Sequence, residues 1–253
     1  MSGPLPIEPP AGEPPAPAAP PRDPYPFWNY VDALLLAALA LPMLAAAFVL
    51  VTVFFLATGL TPGAKALGPV ATTFLFYGFW FLVLFLLIRL RYDRPFWRSL
   101  AWVRPRGSLA SSAGWGLLAA LVSIALGVVL RTPRIRTPLD ELIEDPASLV
   151  LLGIFAITLG PLCEELAFRG FLLPLLARSF GSVAGVLLQA LPFAVLHGFE
   201  YSWSWQRLVI ILLAGVAFGW MRQASGSTAA AACMHSAYNF TFFAGLLAQR
   251  FGH

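Results

Sequence analysis

From about Ala147 to Ser179 the chain stays apolar for more than about 30 residues, and Pro161-Leu162-Cys163-Glu164-Glu165-Leu166-Ala167-Phe168-Arg169-Gly170 sets three charges inside that run. At about 1.5 Å per helical residue the run is too long for one upright membrane crossing, so Pro161 and Pro174 are expected to break or bend it. A charge at bilayer depth costs about 2.5–3.5 kcal/mol even on the lenient insertion scale. The fold must offset that cost. In a helix, Glu165 and Arg169 stand four apart on one face with the acid first, the favourable order for a pair. Glu164 is rotated by about 100° and has no partner within its own helix, so it waits for a group from elsewhere.

Six more apolar segments surround this one: Asp32 to Ala57, about Pro69 to Leu90, Leu109 to Leu130, Ser182 to Phe199, Arg207 to Met221 and Ser227 to Ala248. About 20 apolar residues cross the hydrocarbon as a helix, and only helices or closed barrels satisfy every backbone group in lipid. A barrel would show alternating polarity; these runs are unbroken. The composition agrees, at 59% hydrophobic and 11% charged, against about 25% charged for a soluble domain. The expectation is an all-α, polytopic transmembrane helical bundle of seven to eight hydrophobic helices, eight if the long run is split. Residues 28–253 form the transmembrane domain, with the motif-bearing core at about 147–249.

Residues 1–27 are rich in proline and poor in core-forming side chains, which reads as a disordered, polyproline-like tail without the charge and apolar pattern of a signal peptide. The net charge of +4 comes from 15 Arg and Lys65 against 12 acids. That excess is too small for a nucleic-acid partner and suits orientation by the positive-inside rule and contact with the lipid bilayer. The basic segment from Arg89 to Arg106, with Trp97 and Trp102, reads as a cytoplasmic interfacial loop, which puts the N-terminus on the cytoplasmic side. The cluster at Arg131, Arg134 and Arg136 then falls outside. Asp140, Glu141, Glu144 and Asp145 read as solvated loop charges. Cys163 and Cys233 read as small buried hydrophobes. Arg over Lys, with abundant Ala, Gly and Pro, points to a bacterial cytoplasmic membrane.

Three more polar residues sit in apolar runs. Phe193 and His197 lie four apart on one helix face, as do His235 and Asn239. Glu164 falls near the middle of its segment, and both histidines fall within about 10 Å of the midplane of theirs, so one pocket can hold them. A carboxylate and an imidazole can hold and deprotonate a water, while a second imidazole and an amide NH2 stabilise an oxyanion. Glu164, His197 and His235 would equally bind a divalent metal such as zinc. There is no His-Glu-x-x-His helix, and the residues do not choose between the two. Each piece also has a plainer reading: a helix–helix hydrogen bond for a histidine, interhelical glue for Asn239, a structural clasp for Glu165 and Arg169. A non-catalytic scaffold or small transporter built on the same cluster is the alternative, though no inverted repeat is visible in the spans.

Taken in order, Glu164-Glu165-x-x-x-Arg169, Phe193-x-x-x-His197 and His235-x-x-x-Asn239 resemble the CPBP family of intramembrane proteases, which comprises the CAAX prenyl endopeptidases, the bacteriocin-processing enzymes and the Abi proteins. The matching part runs from about Leu149 to Ala248. The resemblance implies an all-helical membrane protease acting on a membrane-associated protein or peptide, either as a glutamic or as a metal-dependent endopeptidase. It places the water-activating role on Glu164, with His197 helping to hold the water and His235 and Asn239 completing the pocket. Glu165, Arg169 and Phe193 take supporting positions. A short membrane or leader peptide is the expected substrate ahead of a prenylated one.

Overall fold

A computed structural model describes residues 24–61, 63, 65–133 and 135–251. Among them every regular element is helical: α1 (Tyr30–Thr58), α2 (Leu67–Leu86), α3 (Phe96–Ser99), α4 (Leu109–Val129), α5 (Pro138–Ile143), α6 (Pro146–Ile157), α7 (Leu159–Glu165), α8 (Leu173–Phe180), α9 (Ser182–Leu196), α10 (Trp205–Ser225) and α11 (Thr228–Phe251). Two π-helical turns, Leu87–Arg91 and Leu166–Leu172, continue α2 and join α7 to α8.

Five helical stretches are long and apolar enough to cross a membrane: Tyr30–Thr58, Leu67–Arg91, Leu109–Val129, Pro146–Phe180 and Trp205–Ser225. Of the expected seven to eight, these five meet the requirement by length and composition, and Ser182–Leu196 is a shorter apolar helix. The segment from Ser182 stops being helical at Leu196 and is 15 residues long, about 22 Å against the ~30 Å of hydrocarbon. The last helix has 24 residues but carries His235, Tyr238 and Asn239, which dilute its apolar character.

The chain enters the fold before residue 28. Residues 1–23 of the expected tail lie outside the described residues, whereas Tyr25 donates to the Ser99 carbonyl at 3.1 Å. The buried Trp28 indole donates to the Phe171 carbonyl at 3.0 Å and stacks on the Phe171 ring at 5.2 Å. Arg178 reaches the carbonyls of Pro26 and Trp28. Asn29 then caps α1, its side chain accepting from Val31 and Asp32 while Asp32 accepts from the Asn29 amide. This is the reciprocal capping box. Asp32 is fully buried, and Tyr92 at 2.5 Å and Arg91 at 3.2 Å join it to the end of α2.

Helix α4 meets α11 through small residues, Ser112, Gly116, Ala120 and Ser123, the pattern that brings membrane helices close. A Cβ on Gly116 would stand 2.2 Å from the Met234 carbonyl oxygen. The basic loop is docked and not merely interfacial. Thr228 donates its hydroxyl to the Leu100 carbonyl at 2.6 Å and its amide to Ala101 at 2.9 Å, and the Arg106 amide donates to the Ser225 carbonyl at 2.9 Å.

At the opposite end of the bundle two of the four loop acids cap helices, and the other two, Glu141 and Glu144, are solvent-exposed partners of Arg136. Asp140 forms a capping box with Thr137 on α5, Asp145 caps α6 through Ser148, and Arg136 lies 2.6 Å from Glu144 and 3.6 Å from Glu141. Both cysteines are free.

Candidate active site

The long apolar run breaks at Thr158, whose φ of −116° and ψ of −82° end α6. Pro161, third in α7, has no N–H to give back to the preceding turn. Glu164 and Glu165 close α7, and the π-helical turn from Leu166 begins at once. Such a turn inserts an extra residue into the helical ladder and is common at functional sites.

Glu165 and Arg169 face the interior and are wholly buried, with Nη1 2.8 Å from Oε1. Two charges out of water need further partners. Arg169 Nη2 donates to the Gly215 carbonyl at 2.8 Å. Its guanidinium lies 4.4 Å from the centroid of Phe193 and 5.4 Å from that of Phe218, within cation–π range. Gln189, one turn before Phe193 on α9, donates to the same Gly215 carbonyl at 3.0 Å. Gly215 admits this contact because a Cβ there would press on Phe193 at 3.1 Å and Ala190 at 3.2 Å.

Glu165 holds a second partner, which spacing on one helix could not reveal. His235 Nδ1 is 2.9 Å from Glu165 Oε1, and its ring stacks on Phe218 at 4.4 Å. Because a carboxylate only accepts, Nδ1 carries a proton, and Nε2 is left to face away from Glu165. His197 is held in the same way from its own helix, where Nδ1 lies 2.7 Å from the Phe193 carbonyl, another pure acceptor. His197 is the C-cap of α9, so the shortness of that helix sets its depth.

Both Nε2 atoms stand 4.0 Å from Glu164 Oε2. Side-chain exposure is 20% for Glu164 and 21% for His197, against 5% for His235. The distance is too long for a direct hydrogen bond and suits a bridging water. The other carboxylate oxygen of Glu164, Oε1, accepts from the Tyr77 hydroxyl at 3.2 Å. Tyr77 belongs to α2 and had no motif to mark it. Three residues past His197, Glu200 lies in the loop before α10; its carboxyl is raised above the usual range by the protein crowded around it and by Glu164, against the pull of His197.

The structure therefore brings Glu164, His197 and His235 together and sets Glu165, Arg169 and Phe193 behind them. Asn239 is placed differently. Its amide donates to the Ala156 carbonyl at 2.7 Å, in the last turn of α6, and so ties α11 to the helix break. For a metal, the donor types suit zinc, but 4.0 Å exceeds the roughly 3.3 Å edge of a tetrahedral zinc shell. Among the described residues no group of three or more His, Cys, Asp or Glu is arranged to hold a metal ion.

Residues 146–241 match the family described as type II CAAX prenyl endopeptidase Rce1-like. No curated protein and no solved structure matches the chain. The matched stretch contains all three motifs, and with the five apolar helices it makes this an integral, multi-pass membrane protein. Over that stretch the chain is similar to the CAAX prenyl endopeptidases.

Proposed function

We propose that the chain is an intramembrane endopeptidase in which Glu164 and His197 hold and activate the water that attacks a peptide bond. The reading rests on one observation above the others: two imidazoles whose Nδ1 atoms are committed to acceptors turn their Nε2 atoms toward one oxygen of Glu164 at 4.0 Å.

A water seated among these groups gives its proton to Glu164 as its oxygen attacks the carbonyl carbon, and the carbonyl oxygen becomes an oxyanion. Glu164 then passes that proton to the departing nitrogen, the C–N bond breaks, and a carboxyl and an amine result. In its imidazolium form, His235 donates from Nε2 to the oxyanion, with Glu165 balancing its charge. Asn239 steadies the backbone at Ala156, just before the helix break that precedes Glu164. The 20% exposure of the Glu164 side chain leaves it open to substrate.

The substrate is a membrane-associated peptide. The basic end of the bundle, with Arg89, Arg91, Arg94, Arg98, Arg104 and Arg106, faces the cytoplasm by the positive-inside rule, and the N-terminus lies there too. Purified protein in liposomes is offered two internally quenched peptides, one farnesylated with a C-terminal CAAX sequence and one unmodified transmembrane segment. Cleavage of either by the wild type and none by Glu164→Ala is the expected result. Undiminished cleavage by Glu164→Ala would overturn the assignment.

A further inference from the structure

We infer that Tyr77 is a positioning residue of this site, fixing the orientation of the Glu164 carboxylate; the inference rests on the reading of Glu164 as the group that activates water. Tyr77 lies in α2, outside residues 146–241 that match the family. Its neighbours in α2 are mainly Phe, Leu and Val, and a hydroxyl in such a span is costly unless bonded. Its acceptor is Glu164 Oε1 at 3.2 Å. Its ring lies nearly parallel to Phe155, at 6.1 Å and 10°, and Phe155 belongs to the last turn of α6 before the break that precedes Glu164. The ring contact aims the hydroxyl, and the hydroxyl holds one carboxylate oxygen.

That bond matters because the two oxygens of Glu164 do different work. Oε1 faces Tyr77, and Oε2 faces both histidine Nε2 atoms. The terminal torsion of a glutamate is broad. Without a partner on Oε1 the carboxylate plane swings, and Oε2 leaves the line to the water it must deprotonate. Misplacement by about 1 Å at a reacting centre costs roughly 100-fold in rate, and a loss confined to orientation falls on kcat and leaves KM alone.

The test uses Tyr77→Phe, Tyr77→Leu and Glu164→Ala in liposomes with whichever quenched peptide the wild type cleaves faster. Tyr77→Phe keeps the ring against Phe155 and removes only the hydroxyl. It is expected to lower kcat by about 10- to 100-fold with KM within about twofold and an unchanged melting midpoint. Tyr77→Leu should lose as much kcat and also melt earlier. Wild-type kcat in Tyr77→Phe, with Glu164→Ala inactive, overturns the role of Tyr77 alone. Wild-type turnover in Glu164→Ala overturns the reading of Glu164 and the role of Tyr77 with it. A fall in Tyr77→Phe activity that only tracks the folded fraction makes the hydroxyl structural and also overturns the inference.

Discussion

His235 is held by Glu165 and faces Glu164: its Nδ1 lies 2.9 Å from Glu165 Oε1 and its Nε2 lies 4.0 Å from Glu164 Oε2. The adjacent carboxylates thus act on opposite sides of one imidazole. Glu165 links the buried Arg169 to the ring and sets its tautomer, as carboxylates commonly do for functional histidines. Glu164 is the more exposed of the two, with 20% of its side chain accessible against none for Glu165. Adjacency in sequence, at about 100° of rotation, is what allows one helix turn to serve both purposes.

Replacing Glu165 by Ala leaves Arg169 buried without its counter-charge and His235 without its anchor. Breaking a buried pair from one side costs about 3–5 kcal/mol. Glu165→Ala is expected to lower the thermal midpoint in detergent strongly and to reduce activity, whereas Glu164→Ala abolishes activity with the midpoint little changed. Melting curves of the two proteins side by side check this; equal midpoints would contradict the division of roles.

The 4.0 Å spacings around Glu164 Oε2 suit a water better than a zinc ion. Turnover after treatment with a strong chelator and buffer exchange is therefore expected within about twofold of the untreated rate. Activity lost on chelation and restored by zinc would show that the three side chains close around a metal.

Trp28 is buried, and its indole N–H meets the Phe171 carbonyl in the π-helical turn. Trp28→Phe keeps most of the apolar contact and removes the bond, for an expected loss of about 1 kcal/mol; a carbonyl left dry raises that toward 3. Trp28→Ala adds a cavity and should cost about 3–5 kcal/mol. Unfolding midpoints of the two variants give the comparison, and a Trp28→Ala protein as stable as the wild type would mean that the entry segment does not brace the site.

The local parts of this site were legible in the sequence because helical spacing dictates them. Glu165 with Arg169, and Phe193 with His197, follow from four-residue separations. The break in the long run followed from its length and from Pro161. Tyr77 was not legible: its partner lies 87 positions away, and one tyrosine among phenylalanines carries no pattern. The bond from Asn239 to Ala156 depends on a carbonyl released by the break at Thr158, a backbone event that no side-chain spacing encodes. The end of α9 was not legible either, because apolar residues continue to Phe199 although the helix ends at Leu196.

Asp145 gives a pH test away from the chemistry. It caps α6, accepting from the Ser148 hydroxyl at 2.6 Å and the Ser148 amide at 2.9 Å, and these bonds hold its carboxyl below the usual range. A depressed carboxyl contributes stability that is fully present above the unfolded value of about 4 and is lost as pH falls through the lower folded value. Hydrogen exchange in the first turn of α6 is therefore expected to speed up, after correction for the intrinsic rate, as pH drops below about 4. Asp145→Asn still accepts at the cap but does not titrate, so its protection should stay flat over the same range. A wild-type first turn with pH-independent protection would show that the charge on Asp145 does not stabilise the start of α6, the helix whose far end carries the break beneath Glu164.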